Sequence, residues 1–114
     1  MLMFKLLDRV EWDAFETSGV FTGSEVDLQD GFIHFSYAHQ VVETAARYFR
    51  NRPDLVMFAC DGSKFGAALK DEASRGGDLF PHLYAPLNLD QVEFMRAVPL
   101  GQDGAPLIDL TVPE

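Results

Sequence analysis

The sequence predicts an α+β fold in which two main helices are set among short strands. Three observations lead to it. Short apolar runs alternate with helix-period segments in the order β-α-β-α-β through residue 60. The remainder is strand-like and punctuated by Gly and Pro. Of 114 residues 47% are apolar, ten are Phe and only 24% are charged, a composition that folds. That length suits one domain, with a core over about residues 3–98 and a tail over 99–114.

Met3-Phe4-Lys5-Leu6-Leu7 is short and mostly apolar and reads as a buried strand. Asp8 and Glu11 have capping-box spacing, so a helix is expected from Arg9 to about Thr17. Val10 and Ala14, joined by Phe15 and Trp12, supply its apolar side, and Gly19 stands where a left-handed cap would end it. Residues 20–30 show no period and are expected to form a long loop, of a length that in a small domain is often functional.

Gly31 to Ser36 reads as the second strand. Alternation puts Phe32, His34 and Ser36 on one face and Ile33 and Phe35 on the other. Ser36 also stands where it would cap the next helix, Tyr37 to about Phe49. In that helix Val41, Val42, Ala45, Ala46 and Phe49 recur at helical spacing, and Arg50-Asn51-Arg52-Pro53 ends it. Leu55 to Cys60 is a continuous apolar run, which a strand covered on both faces explains. Leu69 to Ala73 is expected to be extended and Ser74 to Asp78 to turn. Pro81 confines the stretch from Leu79 to Tyr84 to an edge strand or a bulge, with Phe80, His82 and Tyr84 on one face. Val92 to Val98 is a further strand, and Leu107-Ile108-Asp109-Leu110 offers a last short one or a loose end.

Composition excludes several function classes. Nine Lys and Arg against eighteen Asp and Glu give a net charge of −9, which repels a phosphate backbone, so no nucleic-acid partner is expected. Cys60 is the one cysteine, so no internal disulfide and no Cys-based zinc site is expected. No apolar run reaches the ~18–20 residues that span a bilayer, and Met1 to Arg9 lacks the marks of a signal peptide. A soluble, cytoplasmic chain without a membrane partner is the expectation.

The candidate chemistry gathers on a few residues. His34 follows Asp30-Gly31 and shares its face with Ser36. An unpaired polar group facing inward from an apolar strand costs ~1–3 kcal/mol, so this pair needs partners, which a ligand or the backbone and a helix cap would supply. Glu72 follows Ala67-Ala68-Leu69 and precedes Gly76-Gly77 and Phe80-Pro81-His82. A carboxylate at a pocket mouth can hold a sugar hydroxyl and stabilise positive charge at an anomeric carbon; a solvated charge run, Lys70 to Glu72, is the plainer reading. A metal held by His34, His39 and His82 with a carboxylate is not expected, since no defined geometry joins the first two across a strand–helix junction. A Ser36 nucleophile with His34 as base lacks a glycine-flanked elbow. Arg9 and Arg47 are candidates for a phosphate or for pairing with nearby acids, and no Gly-rich nucleotide motif is present.

Together, Asp30-Gly31-Phe32-Ile33-His34-Phe35-Ser36, Gln40, Arg47-Tyr48-Phe49, Glu72 and Phe80-Pro81-His82-Leu83-Tyr84 resemble, in order and spacing, the signature of domain-of-unknown-function family 952. The likeness runs from about Phe4 to about Arg96. It implies a compact fold related to ADP-ribosyltransferases, with two small, mostly antiparallel sheets clasping NAD. By that resemblance His34 would contact a ribose, with Ser36 beside it on the pocket floor. Glu72 would take the acidic role at the nicotinamide ribose, with His82, the second catalytic candidate, and Tyr84 lining the opposite wall. The implied function is an enzyme using NAD or an ADP-ribose-like nucleotide as substrate, by transfer or hydrolysis at the ribose. The alternatives are a non-catalytic module binding a nucleotide or metabolite, and a purely structural role for these motifs.

Overall fold

The computed structural model describes residues 1–114, apart from the side chain of Arg75. It is a compact α+β arrangement of three helices and three antiparallel sheets among the described residues. Strand β1 (Leu2–Asp8) leads into α1 (Arg9–Ser18), β2 (Val20–Phe21) and α2 (Glu25–Asp30). Strands β3 (Ile33–His34) and β4 (Ser36–Tyr37) precede α3 (Ala38–Tyr48), and β5 (Leu55–Asp61) follows. Then come β6 (Leu69–Ala73), β7 (Leu79–Leu83), β8 (Leu87–Asn88) and β9 (Val92–Val98). The sheets run β4-β1-β5-β9, β3-β7-β6 and β2-β8.

Strand β5 pairs on both edges, with β1 over its whole length and with β9, and its side chains are divided between two cores. Val56, Phe58 and Cys60 join Met3 and Leu7 of β1 in one; Leu55, Met57 and Ala59 join Phe4 and Leu6 in the other, beneath Val41 and Ala45 of α3. That alternation is why β5 reads as an unbroken apolar run and β1 as an apolar run interrupted by Lys5 alone. Phe58 centres the first core, with the rings of Trp12, Phe15, Phe21 and Phe35 at 5.8, 5.8, 6.3 and 6.0 Å.

The structure corrects the expected pattern at several points. Helix α1 buries Trp12 and Phe15, an i, i+3 pair, whereas Val10 and Ala14 face solvent. The expected loop over 20–30 contains β2 and α2, the latter opened by Ser24 and Asp27 in a capping box and closed by Gly31 at φ 87°. In α3, Val42 is exposed. The expected strand from Gly31 to Ser36 divides at Phe35 into β3 and β4, which belong to different sheets. The helix cap falls on Tyr37, whose N–H donates to Gln40 Oε1 at 2.9 Å. Ser36 therefore does not cap; its hydroxyl lies 3.1 Å from that of Thr44.

Strand β7 is the central strand of its sheet in spite of Pro81, where an edge was expected. Pro81 accepts from the N–H of Phe35 at 3.0 Å, so its carbonyl, and with it the nitrogen that cannot donate, faces the β3 side. Strand β3 pairs with β7 only at Ile33–Leu83 and His34–His82, so the missing donor falls just past its end. The tail forms no strand. Ile108 and Leu110 pack on the α3 side of the four-stranded sheet, and Arg96 ties the tail through Asp109 at 2.9 Å and the carbonyl of Thr111.

Candidate functional site

Register builds the site. Lys70 lies opposite His82, His82 opposite His34, and Glu72 opposite Phe80. Side chains directly across an antiparallel ladder share a face, so His34, His82, Lys70 and Glu72 emerge together, and Tyr84, two residues beyond His82, joins them. Glu72 Oε1 accepts from Tyr84 Oη at 2.6 Å and lies 2.9 Å from His82 Nδ1. The Tyr84 hydroxyl and then the His82 ring hold the Glu72 carboxyl below its ordinary range, and the same contact raises the Tyr84 phenol. The ammonium of Lys70 sits 4.8 Å from the centre of the Tyr84 ring.

Phe32 covers this group. Its ring stacks on His82 at 4.0 Å and 16°, and stands 4.4 Å from His34 and 5.2 Å from Tyr84. His82 is consequently only 5% exposed, while the side chain of His34 is 32% exposed and that of Glu72 38%. The two imidazoles meet edge to face at 5.4 Å.

His34 is anchored from below by Asp27. Asp27 Oδ1 lies 2.7 Å from His34 Nδ1 and accepts the His34 backbone N–H at 3.0 Å; Oδ2 accepts the Ser24 N–H at 2.8 Å. Lys5 Nζ stands 2.9 Å from Asp27 Oδ2 and donates to the His34 carbonyl at 2.9 Å. Burial pushes the Asp27 carboxyl up, but the bond to His34, the nearby Lys5 charge and the two backbone donors together bring it down to about 2. Burial is the larger influence on Lys5 and lowers its pKa. An ionised Asp27 only accepts, so Nδ1 is the protonated nitrogen of that contact, and Nε2 of His34 faces Asp30 Oδ2 at 3.0 Å.

Of the residues expected from sequence, His34, Glu72, His82 and Tyr84 come together on one face. Ser36 lies in another sheet, opposite Phe4, and is held by Thr44. Arg9 stands 3.7 Å from Asp54 and Arg47 3.1 Å from Glu43, away from this face. His39 stacks on Tyr37. Among the described residues no group of three or more His, Cys, Asp or Glu is arranged to hold a metal. No helix of the structure is long and apolar enough to cross a membrane. Sequence reasoning missed Lys5 and Asp27. The signal for them was Lys5 itself: an ammonium inside an apolar strand requires a buried counter-ion.

This arrangement can hold a carboxylate anionic at the surface, present an imidazole to a polar ligand and exclude water from the second imidazole. Comparison with the curated proteins finds no match. Among solved structures, the crystal structure of protein CC0527 from Caulobacter crescentus superposes with a TM-score of 0.91 at 48% identity, covering 94% of each chain. The solution structure of CC0527 superposes with a TM-score of 0.85 at 50% identity, covering 92% of this chain and 90% of the other. A family model matches residues 6–95, across β1 to β9, and the chain thus belongs to the family described as "Protein of unknown function (DUF952)".

Proposed function

We propose that the face built by His34, Phe32, Glu72 and Tyr84 acts on NAD or an ADP-ribose-like nucleotide at the ribose, by hydrolysis or transfer. The observation that carries this reading is Glu72: a carboxylate kept ionised, fixed through one oxygen by Tyr84 and His82, and still accessible. An ionised carboxylate held in place stabilises the positive charge that develops at an anomeric carbon. The bond from that carbon to nitrogen breaks, and its electron pair leaves with the base. Water or an acceptor hydroxyl then bonds to the carbon and gives up its proton to Glu72. His34, anchored by Asp27 through Nδ1, turns its Nε2 to a ribose hydroxyl, which takes the place of the exposed Asp30 carboxylate there. His82, covered by Phe32, acts through Glu72 as a positioning residue.

The kinship with ADP-ribosyltransferases implied by the motifs belongs to this reading. The chain passes from the three-stranded to the four-stranded sheet across the single residue Phe35, a layout compatible with a nucleotide clasped between two small sheets. Cys60, buried and unpaired, suits a reducing compartment, and we place the activity in the cytoplasm.

Titrating NAD, ADP-ribose and nicotinamide into the protein, followed by product analysis, tests the proposal. Binding that His34→Ala weakens, with nicotinamide release that Glu72→Gln abolishes, supports it. Binding without turnover supports the second reading, a nucleotide-binding module, which the burial of His82 favours. Absence of binding by all three ligands refutes both.

A further inference from the structure

Beyond Val98 the chain turns back on itself. Leu100 lies opposite Pro106, the N–H of Gly101 donates to the Ala105 carbonyl at 2.8 Å, and the N–H of Leu107 to the Pro99 carbonyl at 2.8 Å. The three contacts belong to one antiparallel register. Continued, it sets Val98 opposite Ile108, Ala97 opposite Asp109, Arg96 opposite Leu110 and Met95 opposite Thr111. The pairing nevertheless stops at Leu107. Residues 95–97 and 107–109 line a cavity of about 460 Å³, with Pro99 at its end.

The outer edge of β9 has main-chain groups to offer there. The N–H of Gly62 donates to the Met1 carbonyl, so Cys60, Phe58 and Val56 turn their main chain to β1, while Met57 and Ala59 turn theirs to β9. Their partners Arg96 and Phe94 therefore face inward, and the N–H and C=O of Met95 and Ala97 point outward. Among the described residues no hydrogen bond reaches these groups. An open edge of this kind is a template for one more strand.

The tail has the makings of that strand. Ile108, Thr111 and Val112 are strand formers, and Pro113 would end it. The register puts Ile108 and Leu110 on the α3 side of the sheet, where both already pack. Two contacts hold the tail off instead. The Thr111 carbonyl, which would accept from Met95, accepts from the Arg96 guanidinium, and the Thr111 N–H donates to Asp109 Oδ1 at 2.9 Å. Asp109 Oδ2 in turn meets Arg96 at 2.9 Å. In the ladder the Asp109 side chain would stand beside Ala97, on the face away from Arg96, so the ion pair and the strand exclude one another.

We infer that Arg96, Asp109 and Thr111 form a latch, and that its release lets residues 108–112 close along β9 as a fifth strand of the four-stranded sheet. While the latch holds, Met95 and Ala97 are open to pairing by an incoming strand; once it is released, the chain's own tail takes them. The latch involves none of the residues of the Glu72 face, so the inference stands apart from the ribosyl reading.

Amide hydrogen exchange and proton NOEs, both read by NMR, test it. Asp109→Val, at an exposed position, removes the acceptor of the Thr111 N–H and the partner of Arg96 together. In the unaltered protein Met95 and Ala97 should exchange faster than Phe94 and Arg96, which pair with β5. In Asp109→Val the amides of Met95 and Ala97 should slow by about ten-fold or more. A contact between the α protons of Arg96 and Leu110 should appear with it, the mark of a directly opposed pair without hydrogen bonds. If Asp109→Val is folded and both amides still exchange as in the unaltered protein, the tail closes on nothing and the inference fails. It fails equally if the unaltered protein already protects Met95 and Ala97 as well as Phe94 and Arg96, because the latch then holds nothing open. Should Asp109→Val not fold, Arg96→Met, which frees the Thr111 carbonyl, decides by the same measurement.

Discussion

Asp27 fixes His34 twice over: one carboxylate oxygen lies 2.7 Å from the ring Nδ1 and accepts the backbone N–H of the same residue at 3.0 Å. Ring orientation and strand position are thereby set by one group. That group is itself neutralised by Lys5 from the neighbouring sheet, so a charge inside the core positions an imidazole at the surface.

Removing the Asp27 charge leaves Lys5 buried without its counter-ion. Asp27→Asn is expected to cost about 3 kcal/mol of stability in urea unfolding at neutral pH. Lys5→Met in the same chain should restore part of that loss, since the unpaired ammonium is then gone. A double variant as unstable as the sum of the two single ones would show that the pair is not coupled.

The depressed Asp27 carboxyl has a signed pH consequence. With a folded pKa of about 2 against an ordinary 3.8, its contribution is complete above the ordinary value and is lost as pH falls toward 2. The amount is roughly 2 kcal/mol. The unfolding free energies of the parent and Asp27→Asn, from urea curves, should therefore converge by about that amount between pH 5 and pH 2; a gap of constant size would contradict the assignment.

Tyr84 and Glu72 should titrate as partners. Tyr84→Phe removes the hydroxyl that does most to hold the Glu72 carboxyl down, so its pKa rises toward the ordinary value in a carbon-detected NMR titration. Conversely, Glu72→Gln lowers the Tyr84 phenol, read by ultraviolet absorbance. Unmoved midpoints in both variants would mean that the 2.6 Å contact does not persist in solution.

Deleting residues 107–114 removes Ile108 and Leu110 from the core on the α3 side of the four-stranded sheet, and deprives Arg96 of Asp109 and Thr111. Partial burial of two large aliphatic side chains corresponds to about 2 kcal/mol, which a guanidinium unfolding curve would resolve. An unchanged midpoint would show that the tail only rests on the sheet.

The elements most legible in the sequence are those whose side chains have few options. Strands β5 and, apart from Lys5, β1 are apolar on both faces because a core lies on each side, and α1 carries a capping box at its start. Helix α2 was hidden: six residues give under two turns, too few for a period, and its box closes with Asp27 where Glu or Gln is the usual sign. The face of α1 was misplaced because Val10 and Ala14 fit an i, i+4 spacing as well as Trp12 and Phe15 fit i, i+3. His34, Glu72, His82 and Tyr84 were legible through alternation and motif. Ser36 was not, since alternation holds only within one strand and the strand breaks at Phe35. Lys5 signalled that some buried acid must face it, but not that the acid is Asp27, whose partners at positions 5 and 34 meet only on folding.

The pin from Lys5 to Asp27 and to the His34 carbonyl crosses between two sheets, and β1, which carries it, is hydrogen-bonded on both edges. Fraying at β3 alone would have to withdraw an ammonium from its counter-ion, so this segment opens only with the unfolding of the centre of the molecule. A ligand arriving at His34 thus meets a ring whose ordering cost was met during folding, and little of its binding energy is diverted to arranging the protein.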